Sequence, residues 1–173
     1  ASEMYHDYVE NAGNCMPAEK VNAFGLYHAQ TIYEGQRGES LNKRVVNLTR
    51  SGYPGSQKYG VVLWSGDIAA SWNTFRRQLA AGLQLCASGL PYWTLDIGAF
   101  FVKRGDSWFW NGEYDNTLQD DGYRELYVRW FQYGAFLPVF RSHGTDCRRE
   151  PWQFGDQGDP YYEALQKAIT GRY

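Results

Sequence analysis

The sequence predicts an α/β protein built on a mostly parallel sheet, and three observations carry that prediction. Apolar runs of strand length alternate with longer segments of 3.6-residue periodicity. The run "YGVVLWSGD", residues 59–67, has little polar alternation, as expected of a strand covered on both faces. Polar residues fall repeatedly at the carboxyl ends of the predicted strands: Arg50, Asp67, Asp96, Arg141 and His143. Ligands bind at that end both in (β/α)8 barrels and in open doubly wound sheets, so position alone does not choose between the two.

The elements follow in order. Residues 18–36 read as a helix through Val21, Phe24, Tyr27, Ala29, Ile32 and Tyr33. "KRVVNLTRS", 43–51, is rich in β-branched residues and reads as a strand, and "GYPGS", 52–56, has turn chemistry. The link from there to the strand 59–67 is short for a parallel crossover, which usually takes about a dozen residues. Residues 69–87 read as a helix with the apolar stripe Trp72, Phe75, Leu79, Leu83 and Cys86, a core face rather than a sugar platform. Within 88–101, punctuated by Gly89 and Pro91, "YWTLDI" reads as a strand ending near Asp96. Residues 102–121 form a polar and aromatic excursion too long for a simple connection. Its Trp108, Phe109 and Trp110 suit either a leaving-group subsite or an aromatic lid packed on the rim. A helix over 122–134, a strand over 136–144 and a helix marked by Tyr161, Leu165, Ala168 and Ile169 complete the chain. No repeat of solenoid spacing is present.

Composition narrows the partners. Aromatic residues make up 17% of the chain, which supplies flat faces that stack on sugars or bases. A net charge of −2 argues against a nucleic-acid surface and leaves neutral ligands such as glycans. The absence of G-x-G-x-x-G and G-K-[ST] loops disfavours the nucleotide-binding α/β folds. The cysteines, Cys15, Cys86 and Cys147, form no C-x-x-C pair, and Cys86 is expected as a core thiol. No apolar run reaches the ~18 residues of a membrane span, and residues 1–13 show no signal-peptide pattern. Asn47-Leu48-Thr49 matches a glycosylation sequon, but it lies in a strand expected to be buried.

The strand-end residues each fit more than one role. Asp67 follows Trp-Ser-Gly, where small residues admit a ligand and the Trp64 wall lowers the local dielectric, as a general acid requires. It also precedes "IAASWNTF" and suits a helix N-cap. Asp96 fits a ligand-binding acid or a buried partner of Arg50 or Arg141, and either arginine also suits gripping substrate hydroxyls. His143 suits a base, a hydroxyl donor or a metal ligand. Asp67, Asp96 and His143 lack the paired spacing of metal motifs, so neither metal nor cofactor is expected.

"LTRSGYPGSQKYGVVLWSGD", "SGLPYWTLDIGAFF" and "VRWFQYGAFLPVFRSHG" together resemble glycoside hydrolase family 31, the α-glucosidase and α-xylosidase family. The resemblance spans most of the chain and is weakest over 102–121 and 145–157. It implies a (β/α)8 TIM barrel of which residues 1–173 form about the C-terminal half, from the end of strand 4 to the last helix, and it eases the tension over the short 52–58 link. It implies a retaining exo-α-glycosidase in which Asp67 is the acid/base. Arg50, Asp96 and His143 then become ligands of the sugar in the first subsite, and Trp64, Phe100 and Arg141 the pocket wall. Ala1-Ser2-Glu3 is similar to the residues that follow the family's nucleophilic Asp, so the nucleophile is expected to lie outside this chain. Glu3 is then a supporting residue, and the 173 residues alone are expected to be inactive, to expose sheet edges and to need the rest of the barrel and its flanking domains as partners. A non-catalytic carbohydrate-binding module and a metal-dependent hydrolase using Asp67, Asp96 and His143 are the rival readings.

Overall fold

The computed structural model describes residues 7, 10, 11, 14, 16–105 and 111–173. Glu3, Cys15, Trp108, Phe109 and Trp110 lie outside the described residues. The chain divides into two compact units, Ala1–Leu63 and Trp64–Tyr173.

In the first unit a 3-10 helix, Ala18–Ala23, leads directly into helix α1, Phe24–Glu39. The expected helix over 18–36 is therefore shifted. Its opening is tighter because Pro17 offers its carbonyl to Lys20 N at 2.8 Å, an i to i+3 bond. Strand β1, Asn47–Thr49, and strand β2, Val61–Trp64, pair in parallel, with Asn47 opposite Val61 and Thr49 opposite Leu63. Both are shorter than the runs 43–51 and 59–67. Gly60 sets the lower limit: at φ 65° its missing Cβ would lie 2.3 Å from the Val45 carbonyl oxygen, so regular pairing begins beyond it. The short link is accommodated by Gly55, at φ 100°, and a 3-10 helix, Ser56–Tyr59. Val61, Val62 and Leu63 are all buried, as the absence of polar alternation predicts. Asn47 is buried too, and its amide donates to Tyr59 O at 2.9 Å and Ala29 O at 3.3 Å. The sequon nitrogen is engaged internally.

In the second unit helix α2, Trp72–Ala87, starts later than residue 69. The residues before it are held otherwise: Ala69 forms a parallel bridge with Phe101, and Ala70 N donates to Phe101 O at 2.8 Å. Ser71 is the cap, its Oγ accepting from Thr74 N at 3.0 Å. Capping by Asp67 is thereby overturned. The stripe is also corrected. Trp72, Phe75 and Leu79 face the core, but Leu83 and Cys86 are exposed. The helix makes its closest approach through Gly82, where a Cβ would lie 2.5 Å from Trp93 Nε1, so the inward face turns toward Gly82 and Leu85.

Strand β3, Trp93–Thr94, is short, and the chain leaves it through a parallel bridge from Ile97 to Ser142. Gly98 at φ 83° and Ala99 at φ 64° then turn it sharply just after Asp96. The described ends of the excursion close on each other: Gly112 N donates to Lys103 O at 2.9 Å, and Asp115 accepts from both the backbone and the guanidinium of Arg104. Helix α3, Asp121–Gly134, is capped by Asp120 and buries Tyr123, Leu126, Tyr127 and Trp130 completely. Tyr127 stacks on Phe154 with ring centroids 4.2 Å apart. Helix α4, Pro160–Arg172, starts with Pro at its first position behind the cap Asp159 and buries Leu165.

The expected strand over 136–144 is not a regular ladder. Arg172 draws the carbonyls of Ala135, Leu137 and Pro138 to its guanidinium at 2.8, 2.7 and 3.3 Å. Pro138 offers no N–H. The segment is held to the sheet side by Thr94 Oγ1, which donates to Val139 O at 2.8 Å, and by the bridge at Ser142.

Candidate functional site

The second unit gathers its polar groups where the chain continues from Trp64, where β3 ends and where the 138–142 segment ends. β2 ends at Trp64. Gly66, at φ 80°, turns the chain there and puts Asp67 three residues beyond the strand. The turn is anchored from the other side, because Ile68 O accepts from Phe100 N at 2.8 Å and from Phe101 N at 3.0 Å. The backbone carrying Asp67 and the backbone carrying Phe100 are thus one bonded assembly.

Asp96 is the centre of this cluster and is fully buried. Its Oδ1 accepts from Arg141 Nη2 at 2.6 Å and from Trp64 Nε1 at 2.8 Å. The Arg141 guanidinium also lies over the Trp64 ring at 5.3 Å from its centroid. His143 packs its ring 5.4 Å from Phe100 and 6.4 Å from Trp64, centroid to centroid. Asp96 Oδ2 is buried and accepts no hydrogen bond from the described residues. A buried carboxylate oxygen without a donor is costly, and such a group calls for an explanation.

Burial dominates the Asp96 ionisation and raises its pKa above the ordinary value of 3.8. Arg141, His143 and the Trp64 N–H favour the carboxylate but do not offset desolvation, and the charge of nearby Asp67 presses in the same upward direction as burial.

Of the residues expected at the site, Trp64, Asp67, Asp96, Phe100, Arg141 and His143 come together in the second unit. Arg50 directly follows β1 in the first unit and is exposed. Among the described residues no group of three or more His, Cys, Asp and Glu is arranged to hold a metal ion. Sequence reasoning missed Arg149, a buried cation bonded to the backbone of both Phe100 and His143. The doublet Arg148-Arg149 beside an acid reads as solvated surface, and only the contact pattern separates the two arginines.

Comparison with known proteins matches residues 2–173 to the model of the glycosyl hydrolases family 31 TIM-barrel domain. An α-xylosidase of Saccharolobus solfataricus is 42% identical over 155 residues, covering 90% of this chain and 19% of that protein. Human neutral α-glucosidase C is 37% identical over 164 residues, covering 93% of this chain and 16% of its own length. Among solved structures, a family 31 α-xylosidase from Xanthomonas citri superposes with a TM-score of 0.76 at 40% identity, over 90% of this chain and 16% of that one. A soil-metagenome α-xylosidase, solved with xylose, gives 0.65 at 33% identity, over 83% of this chain and 22% of that one. The chain thus spans roughly a fifth of the length of these relatives.

Proposed function

The chain belongs to glycoside hydrolase family 31, and from that membership and the site's geometry we propose that the whole protein is a retaining exo-α-glycosidase of the α-xylosidase or α-glucosidase type. The single observation that carries the reading is Asp96 Oδ2, a fully buried acceptor without a donor among the described residues. A sugar hydroxyl supplies that donor without bringing a charge to be desolvated.

In this reading Asp67 is the acid/base. It protonates the glycosidic oxygen as the bond from that oxygen to the anomeric carbon breaks, while a second carboxylate, about 5–5.5 Å away, forms a bond to the same carbon. Water then attacks the glycosyl-enzyme, gives its proton to Asp67 and releases the sugar with its anomeric configuration retained. Asp96 and His143 bind hydroxyls of the sugar, and Trp64, Phe100 and Arg141 wall the pocket. Arg141 also holds Asp96 Oδ1, and Oδ2 has no donor among the described residues.

The nucleophile in this reading is a carboxylate other than Asp96, which the resemblance to the family leads us to expect outside residues 1–173. Residues 1–173 form part of the catalytic barrel, about its C-terminal half from the end of strand 4 to the last helix, and are inactive or nearly so by themselves. Their partners are the remainder of the barrel and flanking domains.

The test is hydrolysis of p-nitrophenyl α-xyloside and α-glucoside by the full-length protein and its Asp67→Asn variant, with the first-formed anomer read by proton NMR. The α-anomer from the wild type and loss of turnover in the variant support the reading. The β-anomer, or an unimpaired variant, defeats it.

A further inference from the structure

Phe100 and His143 stand on two loops that carry no regular secondary structure, so something must hold those loops at a fixed spacing. The structure shows a pair of oppositely charged side chains doing so through the backbone. Arg149 is 7% exposed, and its guanidinium is directed at carbonyl oxygens. Nη1 donates to Ala99 O and, at 2.7 Å, to His143 O, while Nη2 donates to Phe100 O at 3.2 Å and to Thr145 O at 2.8 Å. One rigid cation therefore bridges 99–100 to 143–145, a use of the planar fork that a lysine does not reproduce.

Asp146 completes the arrangement with the opposite sign. Its Oδ2 accepts from Val102 N at 2.7 Å and Lys103 N at 3.1 Å, just past the carbonyls that Arg149 holds. Thr145 adds a backbone bond of 2.9 Å from its N to Phe100 O. The surroundings are shaped to this purpose. A Cβ on Gly144 would lie 2.2 Å from Arg149 Nη1, and Ala99, whose carbonyl Arg149 holds, stands at φ 64°, a region a residue with a Cβ enters at a cost. The Tyr127 hydroxyl, donating to Arg149 O at 2.8 Å, fixes the arginine's own backbone from the core.

We propose that Arg149 and Asp146 are positioning residues that clamp the 99–103 loop to the 142–146 loop, and so set the place of Phe100 and His143 for the sugar in the first subsite. The inference rests on the glycosidase reading above. Neither residue is assigned a contact with substrate; each acts through backbone that carries residues which do make one. Loss of either leaves the acid/base intact and displaces the sugar-binding side chains.

The experiment uses the full-length protein with Asp146→Ala, Asp146→Asn and Arg149→Met, the active enzyme being titrated in each so that misfolded molecules do not count. KM for the p-nitrophenyl glycoside and Ki for the free monosaccharide are measured together. The clamp predicts that Asp146→Ala raises both by about tenfold, the loss of one well-placed sugar contact. It predicts a smaller rise for Asp146→Asn, whose oxygen still accepts both N–H groups. Arg149→Met should follow Asp146→Ala if it folds, and the exposed Asp146 decides the matter if it does not. Unchanged KM and Ki with only a lowered active fraction would show a purely structural role and overturn the proposal. A wild type that neither turns over a glycoside nor binds a monosaccharide defeats the functional reading and the clamp with it. An active wild type with unaffected Asp146 variants defeats the clamp alone.

Discussion

Gly98→Ala tests how the turn after Asp96 is held. At φ 83° an added Cβ is strained by the backbone alone, at roughly 1–2 kcal/mol. The new atom would also lie 2.3 Å from Tyr127 Cδ2, 2.7 Å from Tyr127 Cε2 and 3.1 Å from the Tyr123 hydroxyl. Carbon atoms pack at about 3.5–4.0 Å, so the first overlap exceeds an ångström. Tyr127 has little room to yield, since it is fully buried and stacked on Phe154. Overpacking of that kind adds about 1–3 kcal/mol, for a total near 2–5 kcal/mol. Gly89→Ala is the control. Gly89 stands at φ 79° with nothing within 4 Å of the added Cβ, so it carries the backbone strain alone, about 1–2 kcal/mol. The assay is urea unfolding of the full-length protein, comparing midpoints at unchanged slope. Gly98→Ala should be clearly the more costly of the two, and it should lower kcat/KM because Asp96 and Phe100 flank the turn. Equal costs for the two variants would refute the claim that Tyr127 walls the turn.

Two further predictions concern the acids and the cap. Asp96 holds its proton more tightly in the folded protein than in the unfolded chain, so its ionisation lowers stability as pH rises from the ordinary value of 3.8 to the raised folded value, with no further loss above it. Across that window the wild type should lose stability relative to Asp96→Asn, while kcat/KM of the variant falls about ten- to a hundredfold through loss of a charged acceptor; a stability difference between the two that does not change with pH would contradict this. Ser71→Ala should cost about 1 kcal/mol in urea unfolding by removing the α2 cap, whereas Asp67→Asn should leave the helix unaffected; the reverse order would restore Asp67 to the capping role.

The legible parts of the sequence were those in which local pattern and tertiary packing agree. The apolar and aromatic period of 122–134 is the buried face of α3, and the unbroken apolar run before Trp64 is a buried strand. The β1–β2 pairing is parallel, as are the bridges from Ala69 to Phe101 and from Ile97 to Ser142, in keeping with the alternation of strand and helix. Asp67, Asp96, Arg141 and His143, which the structure brings together, were singled out because each falls at the carboxyl end of a predicted strand, whereas Phe100 entered only through the family resemblance. What misled was context that spacing does not encode. Leu83 and Cys86 continue the apolar period of α2, yet Gly82 decides which face approaches the core. Asp67 has the residue type and position of a cap, but the backbone bonds of Ala69 and Ala70 to Phe101 delay the helix to Ser71. The 136–144 run has strand composition, and its carbonyls are instead drawn to Arg172, which is distant in sequence. Arg149 was invisible for the same reason, since the described hydrogen bonds of its guanidinium all go to backbone carbonyls and no side-chain pattern marks them.

The central claim is that Asp67 delivers the proton to the leaving oxygen, and leaving-group dependence tests it most directly. The full-length protein and its Asp67→Ala variant are compared on a substrate with an alcohol leaving group and on its 2,4-dinitrophenyl counterpart, which departs without a proton. The account predicts a loss of about 10²–10⁴-fold on the alcohol and a far smaller loss in the glycosylation step on the dinitrophenyl substrate. Equal losses on both substrates, or no loss on the alcohol, would contradict it.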